Sequence, residues 1–196
     1  MAQTSTTLSG QISHKSDITG TDISISTSGS ISSTSTVLTG SGKLAVRDLV
    51  TISGTGNNNK TFTVKAVVST TEFTVEETIT ADDNADGSST FILDHTGFVT
   101  DKAKGDGYYS QPDGIHTVAY HPSATLNDDS TIGLIMQGSL ATTPTEDDWF
   151  DITGTTAILD GSTLAFSSNF TGNFIWIRAK VTGVTAGYVS KILYNN

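Results

Sequence analysis

The chain has 196 residues, a net charge of −10 and a pI near 4.5, and apolar residues make up only 35% of it. The acidic excess repels phosphate backbones, so nucleic-acid binding is not expected. Cysteine is absent, which excludes disulfide and thiolate chemistry, and no apolar run reaches the about 20 residues that a bilayer-spanning helix needs.

Residues 1–40 contain 20 Ser or Thr and no aromatic residue. A segment so polar buries too little apolar surface to fold alone. Residues 1–17 are therefore expected as an arm. The opening residues 1–8 lack both a basic region and an apolar core, so a secretory signal is not expected.

From residue 18 to residue 97 the chain reads as short strands. Ile23 and Ile25 alternate with Ser24 and Ser26, and Ile31, Val37 and Leu38 follow. Clearer strand signals lie at 44–52, 62–68, 72–76 and 89–93, where apolar and polar residues alternate with β-branched enrichment. Residues 54–60, rich in Gly and Asn, supply the backbone freedom of a tight connection. Strands of about five residues joined by short turns close into a small barrel-like module.

Residues 98–112 break the pattern. The stretch 102–107 is charged and glycine-rich, and the segment reads as a linker. Strand signals resume over 113–196, at 115–120, 132–140, 149–152, 163–166, 174–181 and 188–194. So many strands in one such stretch predict an antiparallel β-sandwich of the jelly-roll or Ig-like kind. The expected class is all-β throughout.

In strand 174–181, alternation puts Ile175, Ile177, Ala179 and Val181 on one apolar face. Phe174, Trp176, Arg178 and Lys180 fall on the other, joining two aromatics to two of only ten basic residues. Trp and Arg are typical interface anchors. Two readings stand: a solvated face with a partly covered Trp, or a subunit interface formed by these four residues, in which Trp176 and Arg178 would meet the acidic 146–148 loop of another copy.

Catalytic patterns are weak. Asp82, Asn84 and Asp86 with Gly87 have the spacing that opens a calcium loop, but the twelfth position is Leu93 rather than Glu. An acidic hairpin turn is the favoured reading, so no metal and no cofactor is expected. His14, His95, His116 and His121 lack metal-ligand spacing. Glu146, Asp147 and Asp148 lie on one loop before Trp149, whereas glycoside hydrolysis needs two carboxylates flanking the substrate. No nucleophile elbow or phosphate-binding loop is present. The chain reads as no enzyme.

Two groups of motifs resemble modules of tailed-bacteriophage virion proteins. The first covers about 22–93: residues 38–42, Asp48 to Ile52, Val64 to Val68 and Thr71 to Val75 match the strands of a small β-barrel found in head, tail and fibre proteins. Arg47 stands where that family usually has Gly. The second covers about 131–196: residues 137–140, 148–152, 170–179 and the ending 187–194 are similar to a β-sandwich of marine, cyanophage-like structural proteins.

The resemblance implies a non-catalytic virion protein, made in the host cytoplasm. It would coat or extend the capsid, neck or tail through contacts with other virion proteins, as a homo-oligomer away from any membrane. Its alternative is a receptor- or glycan-binding module of a tail fibre, with Tyr108, Tyr109, Trp149 or Trp176 stacking on sugars.

Overall fold

The structure, a computed structural model, describes residues 5–83, 89–111, 114–123, 126, 133–158 and 165–196, apart from the side chains of Asp82, Asp83 and Ile158. It is all-β, with antiparallel sheets and no helix as long as seven residues among the described residues. None of the described helices is long and apolar enough to cross a membrane. The contacts divide the chain into a central unit, Lys15–Phe98, and a terminal unit that joins the segment ending at His14 to Val99–Asn196.

The strands in chain order begin with β1 (Ser5–Ser9) and β2 (Ile12–Ser13). Next come β3 (Ile18–Gly20), β4 (Ile23–Ile25), β5 (Ser30–Ser33), β6 (Asp48–Ser53), β7 (Thr61–Ser69), β8 (Glu72–Val75), β9 (Asp82–Asp83) and β10 (Phe91–Val99). The remainder are β11 (Ala103–Lys104), β12 (Ile115–Pro122), β13 (Gly133–Ser139), β14 (Phe150–Asp151), β15 (Ala157–Ile158), β16 (Phe166–Thr171), β17 (Trp176–Thr182) and β18 (Tyr188–Asn195).

In the central unit the strands pair in the order β3-β10-β6-β7-β8-β5-β4-β9. The barrel expected from the sequence is not closed: β3 and β9 end the series without pairing to each other among the described residues. Strand β7 spans two partners. Its first residues, Thr61 to Thr63, pair with β6, and the rest, from Val64, pairs with β8 across two register shifts. Such bulges bend a strand and hand it from one sheet to the next. Alternation fills the interior as the pattern predicts. Ile23, Ile25, Ile31, Val50, Ile52, Phe62, Val64, Phe73, Val75, Phe91 and Leu93 share one buried cluster with Ile18, Leu38, Leu44 and Ile79.

The terminal unit holds two sheets, compatible with a sandwich-like arrangement. One runs β1-β18-β12-β16, with β2 also on β18; the other runs β14-β13-β17, with β11 on β17 and β15 on β13. His116, Val118 and Tyr120 of β12 and Val189, Ile192 and Tyr194 of β18 are buried, as are Leu134 and Met136 of β13 and Ile177, Ala179 and Val181 of β17.

Two segments differ from their expected forms. The arm is a strand of its own chain: β1 pairs antiparallel with β18, Ser5 opposite Asn195. Residues 98–112, read as a linker, include the end of β10, β11 and a 3-10 turn at Asp106–Tyr109. Proximity to a β-strand partner orders both, because backbone pairing needs no apolar side chains.

Candidate functional site: an aromatic and basic surface of the terminal unit

The surface is built on the start of β17. Trp176 lies between Ser139 of β13 and Lys104 of β11 in register. Its indole N–H donates to the Thr142 carbonyl at 3.0 Å, which satisfies the ring's one polar atom. After β11 the chain makes the 3-10 turn Asp106–Tyr109 directly on the backbone of residues 173–175. The N–H of Gly105 donates to Ile175 O at 3.0 Å and that of Gly107 to Phe174 O at 2.9 Å. A Cβ at Gly105 would lie 2.4 Å from the Phe174 carbonyl oxygen, so only glycine permits this approach. Asp106, itself buried, accepts the Gly114 N–H at 2.7 Å.

This turn leaves Tyr108 43% and Tyr109 54% exposed, so both rings face solvent. Tyr108 meets Tyr109 at 5.3 Å and Trp176 at 5.0 Å, centroid to centroid, with the planes inclined by 73° and 60°. Two ammonium groups lie on these rings: Lys102 is 4.5 Å from the Trp176 centroid, and Lys104 is 4.1 Å from that of Tyr108 and 5.7 Å from that of Tyr109. The result is a mixed aromatic and cationic surface on an acidic chain.

The four expected interface residues separate. Trp176 is half-buried and belongs to this surface. Phe174 is buried, its ring near Phe150, Phe170 and His116. Lys180 is half-buried, opposite Ile135. Arg178 is 5% exposed, and its partner is Glu146 of its own chain. Its Nη1 and Nη2 donate to the two Glu146 carboxylate oxygens at 2.7 Å each, Nε donates to Gln137 Oε1 at 2.9 Å, and its carbon is 4.2 Å from the Trp149 ring centroid.

The expected pairing of Arg178 with another copy's acidic loop is therefore corrected. The segment after β13 returns Glu146 over β17, and a bidentate guanidinium–carboxylate pair is already complete there. Trp149, a candidate for stacking on sugars, is half-buried on this guanidinium instead. Beside it Asp148 accepts both the N–H and the hydroxyl of Thr145, at 2.7 and 2.8 Å, which holds its carboxyl below the usual range.

The histidines sit in polar networks that the sequence did not disclose. His116, fully buried, has Nδ1 2.7 Å from the Tyr194 hydroxyl and Nε2 3.1 Å from Gly172 O and 3.5 Å from Asp106 Oδ2. Burial, with the Asp106 charge second, pushes the Tyr194 phenol up, and burial does the same to Tyr120. In the central unit His95 accepts the Lys15 N–H at 3.3 Å, and its Nε2 lies 3.4 Å from Asp48, which also pairs with the Lys15 ammonium. His121 is half-buried; burial and Lys191 lower its pKa. Of the residues in the suggested calcium loop, Asn84 and Asp86 lie outside the described residues, and Asp82 forms part of β9, paired with Ile25. Among the described residues no group of three or more His, Asp or Glu could hold a metal ion.

Lys102 and Lys104 are the site residues that sequence reasoning missed, because they were assigned to a linker. A signal was present: two lysines at alternate positions, a glycine on each side of Asp106, then two tyrosines.

In comparison with known proteins, no family model, no curated protein and no solved structure matches this chain.

Proposed function

We propose that the chain is a non-catalytic structural protein of a tailed-phage virion, which coats or extends the capsid, neck or tail through subunit contacts. The motifs at 38–75 and 137–194 that resemble virion modules support this reading. So does a terminal unit of two antiparallel sheets, which we take as a variant of the Ig-like or jelly-roll sandwich.

One observation carries the mechanism. The N-terminal segment lies along β18 as an edge strand, with only Leu8 and Ser9 buried in β1. Among the described residues the outer side of β1 pairs with no strand, and neither does the outer side of β16. A polar edge is stable in water yet offers a row of N–H and C=O groups to a neighbour's strand. Copies arranged symmetrically can therefore join edge to edge, as a homo-oligomer or against another virion protein.

Mass spectrometry of gradient-purified virions from the encoding phage tests the reading. The chain should be present in a constant ratio to the major capsid protein; its absence from intact particles overturns the reading. Deleting residues 5–13 should leave tryptophan fluorescence native while the truncated chain fails to join the particle. Normal incorporation would overturn the edge mechanism.

A further inference from the structure

We propose that Lys102, Lys104, Tyr108, Tyr109 and Trp176 form a binding site for an anionic oligosaccharide, whose carboxylate or sulfate pairs with the two ammonium groups. This inference does not rest on the virion reading, since it concerns the isolated chain.

Charge comes first. The chain carries −10 overall, yet this surface concentrates two cations, and among the described residues neither lysine forms an ion pair. Asp106, the nearest acid in the turn, is buried and occupied by the Gly114 N–H. An ammonium has three N–H donors, and a ring face takes up only part of that capacity. An anion is the complement that supplies the rest.

The rings define the remainder of the ligand. Tyr108 and Tyr109 are exposed and amphipathic, with an apolar body and a hydroxyl rim. Their planes are inclined by 73°, and Tyr108 meets Trp176 at 60°, so no broad flat platform exists for a planar ligand such as a nucleobase. A puckered sugar ring has apolar C–H faces and a rim of hydroxyls, which matches inclined phenols.

An acidic peptide fits less well, because peptides gain much of their affinity from main-chain pairing or a groove. Here β17 is paired on both sides, by β13 and by β11, and β11 has only two residues. A polyphosphate is repelled by the whole chain, and two lysines release too few counterions to compensate. A sugar with at most one charge per ring meets the local cations with a smaller long-range penalty than a polyphosphate.

The test uses the purified full chain, titrated with trigalacturonate and with a sulfated trisaccharide while tryptophan fluorescence and calorimetric heat are followed. At least one of them should bind, and the fully methyl-esterified trigalacturonate, which lacks the charge, should bind at least tenfold more weakly than the free acid. Lys102→Glu with Lys104→Glu, and separately Tyr109→Ala, should each weaken binding at least tenfold. Both changes are at exposed positions, so the thermal transition should stay in place. Four results would each overturn the site: no binding of either anionic probe, equal binding of the ester, binding unchanged in both variants, or equal competition by hexa-aspartate. The last result would assign the surface to an acidic protein segment instead.

Discussion

The central and terminal units both bury polar groups and differ in what those groups pack against. In the central unit the core is one apolar cluster, and the buried ionic group of Lys15, Asp48 and His95 is confined to residues outside that cluster. The most heavily bonded carboxylate, Asp22, works near the surface. It accepts the hydroxyls of Ser33, Thr34, Ser35 and Thr36 and the N–H groups of Ser35 and Thr36, at 2.6 to 3.1 Å. In the terminal unit the buried polar groups pack on aromatic rings: Arg178, with Gln137 and Glu146, on Trp149, and His116, with Tyr194 and Asp106, on Phe170. Apolar burial is non-directional and tolerates exchange. A buried polar network fixes partners by geometry, and removing one member strands the others.

The largest expected effect tests that contrast. Arg178→Met leaves the Glu146 carboxylate and the Gln137 amide without their partner. Breaking a buried pair costs about 3–5 kcal/mol, and because Glu146 keeps some exposure the lower end, about 3 kcal/mol, is expected. Both tryptophans and all five tyrosines lie beyond residue 99, so fluorescence during urea unfolding reads the terminal unit alone. Adding Glu146→Gln should recover part of the loss, since the uncompensated charge is then gone. A single variant within about 0.5 kcal/mol of the wild type would mean that the pair is solvated.

What the sequence disclosed follows from the same physics. Period-two alternation identified the buried faces of β4 and β17, because Ile, Ala and Val record their own burial. It could not find Arg178 inside, since a charged residue at an outward position reads as solvated until Gln137, Glu146 and Trp149 are known to cover it. That the arm docks on its own chain was not legible for a related reason. Its strand is held by backbone pairing to β18, and backbone donors and acceptors are the same in every residue. The register shifts in β7 were not legible either, because a bulge leaves little trace in composition. Of the surface around Trp176, the tryptophan and the tyrosines were legible, and their meeting through the turn at Asp106–Tyr109 was not.

A smaller effect is expected at Asp22. Its hydrogen bonds hold the carboxyl well below its ordinary value of 3.8, with Ser33 and then Thr36 the largest causes. A group whose folded pKa is depressed stabilises the fold above the unfolded pKa and loses that contribution as pH falls below it. The central unit should therefore weaken as the pH drops from about 5 toward 2, within the usual span of carboxylate titration. Asp22→Asn should cost about 1 kcal/mol at pH 7, as for other hydrogen-bond deletions open to water, and should flatten that acid slope. Amide hydrogen exchange in β4, β5 and β8 measures both. A variant as acid-sensitive as the wild type would mean that Asp22 does not set that slope.

The smallest effect concerns the backbone rather than a side-chain network. Arg47 has φ of 72°, in the left-handed region that favours glycine, and its N–H donates to Val64 O at 2.7 Å. The turn is tied on its other side by Asp48, which accepts the Ala45 N–H at 2.6 Å. The arginine thus holds a conformation that suits glycine better. Holding a non-glycine residue there costs about 1–2 kcal/mol, while glycine costs roughly 0.5–1 kcal/mol through the greater freedom of the unfolded chain. The difference predicts that Arg47→Gly stabilises the central unit by about 0.5 kcal/mol. Arg47→Ala separates the causes, because it removes the side chain but keeps the Cβ and hence the strain. If strain decides, alanine should give none of the gain, and Arg47→Val should destabilise by more than about 1 kcal/mol, since β-branched residues are the worst fit to positive φ. If alanine matches glycine, the arginine side chain rather than the backbone sets the stability of this turn. Hydrogen exchange at the amides of β6 and β7 across the three variants measures that order directly.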